Sequence, residues 1–155
     1  MKTNIQALII TLLIFPIPFE VSAEVIISEF LTSNQLGTFL DDDNEATDWI
    51  ELHNCSATTV DLTGYGLTDT LGRTKFTFPE VMLDPDGYLL VYASGKDRSE
   101  PGAVLHTSFQ LDRSGEYLAL TDPEGTVLTE FSPEYPGQSA DSSYGLAGTE
   151  TYGFL

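Results

Sequence analysis

Only one cysteine, Cys55, occurs in the 155 residues, so an intramolecular disulfide is excluded and the fold must hold without covalent staples. In an exported chain such a residue is expected as a small buried apolar group; the other reading is a free thiol able to link copies. Basic residues are also scarce: six Lys and Arg stand against 24 Asp and Glu, a net charge of −18. Phosphate backbones and anionic membranes repel such a surface, so no nucleic-acid partner is expected. Disorder is the other reading of heavy negative charge. A 41% hydrophobic content, with nine Phe and seven Tyr, argues against it.

Long apolar runs are missing except at the N-terminus. There IQALIITLLIFPIPF is short and proline-interrupted for a membrane span. Lys2 before it and the small residues of VSA after it complete the three parts of a secretory signal peptide, predicted over 1–23 with cleavage after Ala23. An uncleaved anchor is the competing reading. No cysteine follows the cut, which argues against a lipid anchor. Removal takes one base, Lys2, and one acid, Glu20, so the charge is unchanged. The remainder suits one domain with a single core, secreted to the periplasm, cell surface or exterior, with no membrane insertion after cleavage.

Helical periodicity is absent from residue 24 onward. Short runs rich in β-branched and aromatic residues alternate with turn signals: VIISEFL, DWIELHN, TTVDL, GYLLVYA, EYLALTD and TVLTEFS, with weaker candidates in KFTF, HTSFQL and SSYGL. Four connections, Asp69–Gly72, Asp84–Gly87, Asp112–Gly115 and Asp122–Gly125, carry Asp at one position and Gly three later. That composition fits a type I turn, with the carboxylate bonding forward and Gly supplying the positive φ. The pattern predicts an all-β sandwich of about eight or nine antiparallel strands, with a small closed barrel as runner-up. In DWIELHN the two-residue period sends Ile50 and Leu52 to the core and Trp49, Glu51 and His53 to the other face.

Motifs for catalysis are missing too. There is no G-x-S-x-G elbow, H-E-x-x-H, phosphate loop or C-x-x-C. His53 and His106 are the only imidazoles, and both are expected as ordinary surface residues; a serine–histidine–acid triad assembled from distant positions is the minority reading. Paired glycosidase carboxylates are a further minority reading, as is a sugar-stacking platform built from Tyr65, Tyr88, Tyr92, Tyr117, Tyr135 and Tyr144.

What is present in excess is acid, gathered in FLDDDNEATDWIELHN. Tested as an EF-hand from Asp41, the stretch has Ala46 where Gly is needed and Leu52 where a bidentate Glu is needed, so it is not one. An irregular calcium site remains, with Asp41, Asp43, Glu45 and Asp48 as candidate ligands and Asp42 and Asn44 beside them. Glu29 and Glu51 could add ligands only if their strands are neighbours. The alternative is a solvated loop whose charges blunt a sheet edge.

The ordered segments SEFLTSN, DWIELHN, DLTGYGLTD, PDGYLLVYASG, FQLDRSGEYLALTDPEGTV and QSADSSYGL resemble the lamin tail domain, and more specifically its bacterial exported members. The match spans about Val25 to Gly148. The resemblance implies an immunoglobulin-like β-sandwich over 24–148, no enzyme activity, no catalytic residues and no required cofactor. It also implies a binding or tethering role toward a protein or cell-surface component, with calcium stabilisation if the acidic loop holds the ion. The DNA and chromatin partners of the nuclear domain do not carry over to so acidic a chain. Bacterial members usually run on into a Pro-Gly-rich ending, so 149–155 is expected to be a C-terminal segment cut short. The alternative function is an accessory domain of a longer secreted hydrolase or nuclease.

Overall fold

The computed structural model describes residues 24–37, 39–146 and 151–155; the predicted signal peptide lies outside them. The described residues form strands and turns, with no helix. In chain order the strands are β1 (Val25–Leu31), β2 (Asp48–Asn54), β3 (Val60–Asp61), β4 (Gly66–Thr68), β5 (Phe76–Thr77) and β6 (Met82–Leu83). β7 (Tyr88–Ala93), β8 (Leu118–Thr121), β9 (Val127–Phe131), β10 (Tyr144–Leu146) and β11 (Tyr152–Phe154) follow. One sheet has the order β11-β10-β1-β2-β7 and the other β5-β4-β8-β9, while β3 and β6 pair as a short ribbon. All pairings between these strands are antiparallel.

VIISEFL and DWIELHN form strands over their full predicted lengths; DWIELHN places Ile50 and Leu52 on one core face, whereas VIISEFL is β-branched and apolar enough to be buried on either side of a bulge. Ile50 and Leu52 enter the core, where they meet Val25, Ile27 and Phe30 of β1 and Val91 of β7. Leu67, Leu118 and Leu120 close that core from the second sheet. A bulge at Ser28 shifts the β1–β2 register between Ile27 and Glu29. On the opposite face Trp49 is buried by Phe39, whose ring meets it edge-on at 5.7 Å.

Several expectations are corrected. HTSFQL is not a strand; it is a loop held by isolated bridges to Tyr92, Ser94 and Arg98. β4, β6 and β11 were not foreseen, since two or three residues carry no periodic signal. Three Asp-x-x-Gly turns close with the Gly N–H donating to the Asp C=O, but the first slips by one residue, Arg73 N–H donating to Thr70 C=O. In the Asp84 turn the positive φ falls on Asp86, at 56°, and not on Gly87. Gly87 is required there for space, because a Cβ would lie 2.8 Å from Asp84 O. The six tyrosines form no common platform: Tyr88 and Tyr92 share a face of β7, but Tyr135 is in the core, Tyr117 is buried against Glu130, and Tyr144 packs among Phe30, Phe131 and Tyr152.

Candidate functional site: an acidic loop and its cations

The acidic loop between β1 and β2 is closed by a bridge between Leu40 and Ala46. Asn44 turns the chain back with φ 62°, a conformation its short amide tolerates. Asp41 organises the interior of the loop. Its side chain is 0% exposed, and Oδ1 accepts the N–H groups of Asp43 at 3.0 Å and Glu45 at 2.9 Å. A buried carboxylate needs such donors and a counter-charge to stay ionised.

Lys96, on the loop after β7, supplies the charge. Its Nζ reaches Asp41 Oδ2, Asp43 Oδ2 at 2.7 Å and Glu45 Oε2 at 2.9 Å. Arg98 adds Asp43 at 2.7 Å and Asp42 at 3.2 Å. Burial pushes the Asp41 carboxyl up, but the Lys96 hydrogen bond and the backbone donors outweigh it and hold the group below its ordinary range. The hydrogen bonds from Lys96 and then Arg98 bring Asp43 down to about 2. Lys96 rises in turn, the three carboxylates overcoming its own desolvation.

Asp41, Asp43 and Glu45 therefore converge on one point, and that point holds an ammonium. Asp48 does not join them. Its carboxylate accepts the N–H groups of Asn34 and Leu111, tying two loops to the start of β2, and burial pushes it up to about 6. Glu29 and Glu51 are cross-strand neighbours, yet they bond Ser143 and Ser28 and not the acidic loop. Sequence reasoning missed Lys96 and Arg98. The available signal was GKDR, a pair of bases in a chain that has only six.

His106 corrects a second expectation, since it is fully buried. Its Nδ1 lies 2.8 Å from Ser94 Oγ and its Nε2 lies 2.8 Å from Asp42 Oδ1. A neutral ring protonated on Nε2 satisfies both contacts, donating to Asp42 and accepting from the Ser94 hydroxyl. The residue types match a Ser-His-Asp relay but the layout is inverted. A working relay exposes the serine to substrate and buries the acid. Here the acid is the exposed end, at 40%, and is shared with Arg98. Ser94 Oγ accepts the Lys96 N–H, and the neighbouring Gly95 N–H is engaged by Phe109 C=O, which leaves it unable to hold an oxyanion. The group is a strut between β7 and the acidic loop.

Cys55 corrects the third, because it is exposed and not buried. It follows β2 where the chain turns outward; its Sγ lies 3.4 Å from His53 Nδ1, and His53 in turn bonds Asp86 and stacks on Tyr88 at 4.2 Å. Burial, and then the Asp86 charge, raise the thiol above its ordinary value, so it rests protonated.

Two antiparallel sheets over one core define an all-β module of the immunoglobulin-like class. The lamin tail domain family model matches residues 19–134, and the chain belongs to that family, whose members mediate protein interactions. No curated protein sequence matches it.

Proposed function

We propose that the chain acts outside the cytoplasm as a non-catalytic module that binds a protein or cell-surface component. The observation that carries this reading is the closure of its reactive groups: Lys96, Arg98, His106 and Ser94 all bond to one another's neighbours within the fold. Family membership supports an interaction role. The N-terminal pattern of Lys2, apolar run and VSA supports export, and the net charge of −18 disfavours nucleic acid. In this reading the loop carries its own cation, so calcium is not required and would have to displace Lys96.

The test has two arms. The purified chain is assayed against ester, polysaccharide and phosphodiester substrates, and it is immobilised and exposed to envelope and culture-medium proteins. Saturable, salt-sensitive retention of a defined component without turnover is expected. Turnover lost in Ser94→Ala would overturn the reading.

A further inference from the structure

Between β7 and the segment before β6 runs a groove of about 520 Å3, floored by Val81, Met82, Leu89, Leu90 and Val104 with Glu80 on its rim. Met82 and Val104 are exposed at 58% and 40%. β7 is the edge strand of the five-stranded sheet. Its hydrogen-bonding phase is fixed by the bond from Asn54 N–H to Gly87 C=O, which makes Leu89, Val91 and Ala93 the residues bonded to β2. Tyr88, Leu90 and Tyr92 therefore present their N–H and C=O groups outward. Tyr92 uses both, accepting from Thr107 N–H and donating to Leu105 C=O. Residues 105–107 thus add a short parallel strand that covers the edge only at Tyr92. At Leu90 the outward backbone groups border the apolar groove and, like those of Tyr88 one step along the edge, have no described backbone partner.

Building on the reading of this chain as a binding module, we propose that this groove takes an extended segment of another protein, with alternating apolar residues between basic flanks, as an added strand on β7. An open ladder edge beside apolar side chains is the arrangement that strand addition uses, backbone bonds holding the peptide and the groove selecting its side chains. Charge decides the occupant. A second copy would bring another net −18 against this one, with Glu80 at the rim, whereas Lys or Arg flanks complement both.

The probe is a short fluorescent peptide of alternating Val and Thr with Lys at both ends, titrated onto the full chain by anisotropy. Controls are the same peptide with Glu at both ends and the variant Leu90→Pro. Proline at an outward-facing edge position removes one donor without touching the β2 ladder. The lysine-ended peptide is expected to bind, with affinity at least about tenfold weaker for the glutamate-ended peptide and for Leu90→Pro at unchanged melting temperature. Should Leu90→Pro unfold the chain, Met82→Asp in the groove floor gives the same readout. The proposal is overturned if the lysine-ended peptide does not bind, if both variants bind it as the parent does, if the glutamate-ended peptide binds equally, or if sedimentation shows that β7 pairs with a second copy. Retention of an envelope component that survives both variants would overturn the groove alone and leave the binding function standing; loss of all retention would remove both.

Discussion

Removing the Lys96 ammonium would leave Asp41 buried with its backbone donors but no counter-charge, beside Asp43 and Glu45. Lys96→Met is therefore expected to lower the melting temperature by on the order of 5 °C or more, and calcium is expected to restore it, because Asp41 and Glu45 then lack a cation and Asp43 keeps only Arg98. Parent protein should show no calcium-dependent rise; scanning calorimetry with calcium and with chelator checks both statements. Ser94→Ala isolates a different contact. It leaves Nδ1 of the fully buried His106 without its donor, and urea unfolding should show a loss of about 1–3 kcal/mol. The exposed Cys55 should react with a thiol reagent in the folded state, though more slowly than an unhindered thiol at pH 8 because its proton is held more tightly.

Elements here are short, so their ends depend on polar clamps. Asn54, the last residue of β2, is completely buried; its Nδ2 donates to Thr58, Leu83 and Asp84 carbonyls and its Oδ1 accepts Ser56 N–H. One amide thus fastens β2 to the turn that follows it and to the corner between β6 and β7. Asn54→Ala would orphan several buried backbone groups at once, and a loss of about 2–4 kcal/mol in urea unfolding is expected. DWIELHN was legible as a strand because seven residues of alternation specify a face. Its partner across the corner, Met82–Leu83, was not legible; two residues become a strand only when Val60 and Asp61 lie opposite them. His106 was misplaced for a related reason: HTSFQL reads as a weak strand or surface loop, and only the bridges to Tyr92 and Arg98 draw the imidazole inward.

At the scale of the molecule, pH sets two carboxylates against each other. Asp48, pushed up to about 6 by burial, keeps its proton in the folded state where an unfolded aspartate near 3.8 has lost it, so its contribution falls as pH rises from about 4 to about 6. Asp43, held at about 2, contributes stability above about pH 4 that is lost as pH falls through about 2. Relief of self-repulsion in a chain of net charge −18 adds to the first trend. The melting temperature is expected to peak near pH 4 to 5 and to fall on both sides, as scanning fluorimetry across pH would show; a peak above pH 7 would contradict these assignments. The sequence alone determined the all-β class, the core face of DWIELHN, three of the four Asp-x-x-Gly turn closures and the acidity, because each depends on neighbours a few residues apart. Only the tertiary structure decided the partners of the acidic loop, the burial of His106, the exposure of Cys55 and the open edge of β7. Those depend on which chain segments, tens of residues apart, come to lie within a hydrogen bond of one another, and periodicity carries no record of that.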